Sequence, residues 1–171
     1  LADPRFPRPR LDLLAHLKRM QRVESTDPNR DNRYRFYEAA LHCESGRAAE
    51  GLDRVAPIRV FEPAHGSYIA GCAIAAGRTK EALRLTAAPE DADQEAVRGW
   101  ALQAGRMSGA ESQFRKAIMS DPTEPFARLG LAQLLVARGK RAEALELLGG
   151  AEAKLGPVPA VLKARVDAGG P

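Results

Sequence analysis

Aromatic side chains make up only 5% of this 171-residue chain, and cysteine and histidine are scarcer still, with two and three copies. So few aromatics weigh against a sandwich or barrel, whose strands favour aromatic and β-branched residues. Cys43 and Cys72 are too few for a disulfide scaffold and lack the close spacing of a zinc or thiol-redox motif. His16, His42 and His65 show no metal-ligand spacing, and there is no P-loop, dinucleotide fingerprint or nucleophile elbow. The longest apolar run, Tyr68 to Ala76, falls far short of the roughly 20 residues that span a bilayer. A soluble chain with no catalytic site, metal or cofactor is therefore expected. Its compartment stays open: cytoplasmic or, since the chain begins with Leu1 and a leader is then conceivable, periplasmic.

What is present points to helices. Hydrophobic residues are 44% and charged residues 28% of the chain, a globular composition, and Ala, Leu, Arg and Glu dominate it. The net charge of +4 is carried by residues 1–35, where nine basic groups face five acidic ones. A basic arm can contact phosphates, but these arginines are interspersed with acids and alternate with no aromatic run, which argues against nucleic acid. The stretch from Asp27 to Glu38 places oxygens at several positions of a calcium loop. Asn32 stands where such a loop needs its tight glycine turn, and three arginines crowd it, so an inter-helix turn followed by a helix is the better reading.

Turn signals recur along the chain. A glycine followed by a basic residue occurs at Gly46, Gly77, Gly105 and Gly139, with intervals that are similar but not equal. Each follows a helical pattern and suits a helix C-cap. Five residues later come Gly51, Ala82, Ala110 and Ala144, small enough to let two helices pack closely. The unit is helix A, a turn, then helix B, a hairpin that must stack on neighbours to bury its apolar face. Helices are predicted near 11–22, 33–44, 47–55, 63–76, 79–86, 91–104, 108–119, 125–137, 141–153 and 158–167, with a frayed Ala-Gly-Gly-Pro end.

Gly105, Ala110, Phe114 and Ala117 match Gly139, Ala144, Leu148 and Ala151, each pair at the same interval. That shared interval is the period of the tetratricopeptide repeat, roughly 34 residues. Residues 101–122, with Pro122 closing them, resemble the second half of that repeat, and 125–151 resemble all of it. The resemblance extends over 91–157 and, more thinly, 33–90. It implies an all-α, right-handed superhelical solenoid of about four antiparallel hairpins, with a basic extension over 1–27 carrying one helix and a repeat domain over 28–171 ending in a capping helix. It also implies a protein partner, a peptide or helix bound in a groove lined by the A helices. Arg33, Phe36, Tyr37, Tyr68, Gln103, Phe126 and Gln133 fall at groove positions of that register, although Tyr37 and Tyr68 suit packing between helices equally well. The lack of any asparagine after Asn32 argues against a clamp for a carboxylate-ended peptide. A scaffold or adaptor is the expected role, with a regulatory or targeting portion of a larger enzyme, or a self-assembling scaffold, as the alternatives.

Overall fold

The computed structural model describes residues 30–58, 63–156 and 159–170. The expected helix at 11–22, and the extension over 1–27 that contains it, lie outside them. Among the described residues there are nine helices and no strand. They are α1 (Arg30–Glu44), α2 (Ala48–Val55), α3 (Pro63–Ala75), α4 (Thr79–Leu85), α5 (Ala92–Ala104), α6 (Ala110–Ser120), α7 (Pro125–Ala137), α8 (Arg141–Leu155) and α9 (Pro159–Asp167). Would-be calcium-loop positions from Arg30 onward run along α1 as helix.

Consecutive helices pair into four hairpins, α1/α2, α3/α4, α5/α6 and α7/α8, with α9 packed on α7 and α8. Each odd-numbered helix also touches the next odd-numbered one, and among the described helices each even-numbered one touches only the two odd-numbered helices beside it. The odd-numbered A helices thus form a tight inner layer, and successive B helices stand apart on the outside. This is a helical repeat solenoid.

The hairpin turns are built from one hydrogen-bond pattern. At the first, Arg47 N–H donates to His42 O at 2.8 Å and Gly46 N–H to Cys43 O at 3.1 Å, the reciprocal pair that closes a helix on a left-handed residue. Gly46, Gly77 and Gly139 hold that position with φ of 77°, 74° and 78°. The third turn departs from the glycine pattern. Gly105 stays right-handed at φ −76°, and the left-handed residue is Arg106 at φ 54°. Met107 N–H then bonds Leu102 O, and α6 begins only at Ala110. The repeat interval from this unit to the next is kept while the turn inside it is redrawn. Of the Ala-Gly-Gly-Pro end expected to fray, Pro171 lies outside the described residues, and residues 168–170 are hydrogen-bonded. Gly169 and Gly170 donate back to Val166 and Arg165 in the same closing pattern, and Ala168 is buried.

The small positions after each turn sit where the helices of a hairpin approach one another. Ala82 and Ala144 are fully buried, and a Cβ on Gly51 would lie 2.6 Å from Ala39 O of α1. With no space beside it, Ala144→Leu is expected to destabilise the fold by roughly 1–3 kcal/mol through overpacking. A thermal melt checks this, and an unchanged midpoint would refute the close approach at that position.

Two features of the fold lie outside what the residue pattern predicts. Cys43 on α1 and Cys72 on α3 form a disulfide with Cα atoms 5.9 Å apart, so the cysteines do pair despite their long separation. The Gly149-Gly150 doublet does not interrupt α8. The guanidinium of Arg128 lies over Gly150, in the space a Cβ would fill.

Candidate partner-binding surface

The residues expected to line the A-helix face divide into two groups. Phe36, Tyr37 and Tyr68 are 2%, 3% and 7% exposed and belong to the core. Phe36 stacks on His65 with centroids 4.0 Å apart and meets Tyr37 and Tyr68 edge-on at 5.3 and 5.8 Å. The Tyr68 hydroxyl donates to Glu44 Oε1 at 2.6 Å. Of the two alternatives open to Tyr37 and Tyr68, the structure realises packing between helices, because the first two A helices meet there and aromatic rings fill the gap. The side chain of Arg33 lies outside the described residues.

Gln103, Phe126 and Gln133 are half-buried and reach the surface. Phe126 and Gln133 are seven residues apart on α7 and so share a face, which exposed Ala137 continues. Phe126 is anchored from the neighbouring A helix: its carbonyl accepts the Trp100 indole N–H at 3.1 Å. Trp100 in turn meets Phe114 edge-on at 5.7 Å. The backbone of α7 at this face is thereby held against α5 before any partner arrives.

A second feature, with only a faint trace in the sequence, is a set of acids at the N-terminal ends of α5 and α7. Asp91 caps α5, its carboxylate accepting from Gln94 N–H at 2.8 Å. Glu124, immediately before Pro125, caps α7 by accepting from Phe126 N–H at 3.1 Å and from Ala127 N–H. It is only 5% exposed. Burial pushes its carboxyl up to about 7, against the pull of those two N–H groups, and the nearby Asp93 and Asp121 add to the rise. Asp93 is raised as well, chiefly by burial, with the Ser67 hydroxyl acting the other way and Asp91 adding to the rise. Glu95 is paired with a cation: Lys116 Nζ lies 2.6 Å away and the Ser120 hydroxyl donates at 3.0 Å. The sequence signal for Glu124 was the acidic residue before a helix-starting proline, which marks a cap without revealing its burial.

On the outer side, α6 and α8 part over α7 to leave a cavity of about 350 Å³ lined by Ile118, Met119, Arg128, Leu131, Glu146 and Leu147, among others. Its rim is ionic: Arg115 bridges Glu111 at 2.9 Å and Glu143 at 3.3 Å. These pairs are solvent-exposed and contribute little stability each. Among the described residues no group of three His, Cys, Asp or Glu side chains is arranged to hold a metal ion, and no helix is long and apolar enough to cross a membrane.

A family model described as tetratricopeptide repeat matches residues 101–165, from the last turn of α5 through most of α9. No curated protein and no solved structure matches the chain.

Proposed function

We propose, from the premise that residues 101–165 belong to the tetratricopeptide repeat family, that this protein is a non-catalytic adaptor binding a partner protein's peptide or helix along its A-helix layer. Repeats of this family generally mediate protein–protein interaction. The observation that carries the reading is the layering itself: A helices in direct contact form one continuous face. A preformed face loses little conformational entropy on binding, so apolar burial and a few polar contacts suffice for affinity. Within that face Phe126 and Gln133, both half-buried and on one side of α7, offer a ring and an amide suited to a partner's apolar side chains and a polar contact.

The test uses positions that reach solvent, so that folding is not at stake. Wild type, a Gln133→Arg/Ala137→Arg variant and a Met119→Arg variant on the outer face are used as bait for partner capture, with helix content matched by circular dichroism. A protein retained by wild type and by Met119→Arg, and lost by the α7 double variant, is the expected result. Loss through Met119→Arg alone would move the site to the outer cavity. If nothing is retained and the molar mass rises with concentration, the chain is a self-assembling scaffold and the adaptor reading fails.

A further inference from the structure

The disulfide has no part in the partner-binding reading, yet its placement is specific. Cys43 and Cys72 are both 0% exposed and join α1 of the first described hairpin to α3 of the second, across 29 residues of sequence. Among the described helices, the α1/α2 hairpin meets the rest of the solenoid only through α3. In a linear stack each hairpin is held by its neighbours alone, so one with a single described neighbour depends on that interface. Non-covalent ties across it include the Tyr68 hydrogen bonds to Glu44 at 2.6 Å and to the Ala40 carbonyl at 3.5 Å, the aromatic packing around Phe36, and an exposed Arg78–Asp53 ion pair at 3.0 Å. On the other side of the bond, a Cβ on Gly51 of α2 would stand 3.0 Å from Cys43 Sγ, so the sulfurs are enclosed by all three helices.

We infer that the Cys43–Cys72 bond is a permanent structural staple, made in an oxidising compartment, that holds the α1/α2 hairpin on the solenoid. Forming it removes two electrons and two protons from the pair of thiols. The acceptor is a disulfide of a thiol oxidoreductase, which leaves as a dithiol after exchange. Disulfides persist where the surroundings are oxidising and are rare where glutathione and thioredoxin act. Reduction needs a thiolate to reach one sulfur, and neither sulfur is reachable while α1 lies on α3 and α2. The bond is therefore built to stay closed and not to report on redox state.

Three measurements test this. The chain recovered from its own organism under acid quench, denatured and treated with iodoacetamide, should take up no adduct before reduction and two after it. Two adducts before reduction would overturn the compartment assignment. In the native full chain the bond should outlast millimolar dithiothreitol that cleaves it at once in denaturant, whereas rapid native-state cleavage with the fold intact would make it a switch. Hydrogen exchange of the Cys43→Ala/Cys72→Ala variant, or of wild type reduced in denaturant and refolded, should quicken by about tenfold or more over residues 30–55 and stay unchanged over 92–155. Equal protection in both forms would show that the bond holds nothing in place.

Discussion

Replacing Phe114 with alanine is expected to destabilise the protein by about 3–5 kcal/mol, the range for emptying a buried aromatic site. The ring is fully buried and wedged between two glycines of neighbouring A helices. A Cβ on Gly99 of α5 would stand 2.6 Å from it, and one on Gly130 of α7 would overlap it as well. The Trp100 ring closes a further side edge-on. This arrangement makes a sharper expectation than the loss itself, because alanine is the better helix former by roughly 0.5–1 kcal/mol. Gly130→Ala should destabilise wild type by about 1–3 kcal/mol through the clash. In the Phe114→Ala background, where the ring is gone, the same change should be neutral or stabilising. Urea unfolding of the four proteins measures the reversal directly. A stabilising Gly130→Ala in wild type would show that the ring does not occupy that space.

Acidification from pH 8 toward pH 5 is expected to stabilise the fold, against the usual behaviour of carboxylate-rich proteins. Glu124 starts from an ordinary value of 4.5 and is raised to about 7 in the folded state. The native protein therefore binds more protons than the unfolded chain between those values, and stability falls as pH rises through that window. At 1.36 kcal/mol per pH unit the full effect approaches about 3 kcal/mol, present below pH 4.5 and lost above pH 7. Asp93, also raised, acts with the same sign. Glu111 and Asp121 act oppositely: Arg115 and Arg138 lower the one, and Thr123 lowers the other. Their contributions are present above the usual carboxylate range and are lost only at lower pH, below the Glu124 window. Melting midpoints across pH 5–8 should thus rise as pH falls, and Glu124→Gln, which keeps an oxygen to cap α7 and cannot ionise, should flatten most of the slope. A wild-type midpoint that does not move over this range would mean that Glu124 is ionised without penalty.

The helices and their turns were legible because what makes them is local. A left-handed residue after an apolar-periodic run, a small residue five places on, and a proline at the next helix start all act within a turn or two of themselves. For that reason the predicted ends of α7 and α9 fall within a residue of the observed ones. The third turn shows how far such reading reaches. The repeat interval survives there, but Arg106 takes the left-handed position that the glycine pattern assigns to Gly105.

Which side of each helix is covered was decided by the stack. Phe36 read as a groove residue, and Tyr37 and Tyr68 read as anchors for a partner as readily as core, because a ring with a polar tip suits either setting. They became core because α1 and α3 close over them, whereas Gln103, Phe126 and Gln133 stayed at the surface. The same contact brings Cys43 to Cys72 from 29 residues away, a pairing that no spacing rule reaches. It is likewise the fold, and not the neighbouring Pro125, that buries Glu124 beside Asp93 and shifts its proton affinity. Local backbone preference is written in consecutive residues, and the sequence alone therefore determined an all-helical repeat chain. Burial, charge state and cross-linking depend on what lies opposite, and only the stacked hairpins supply that.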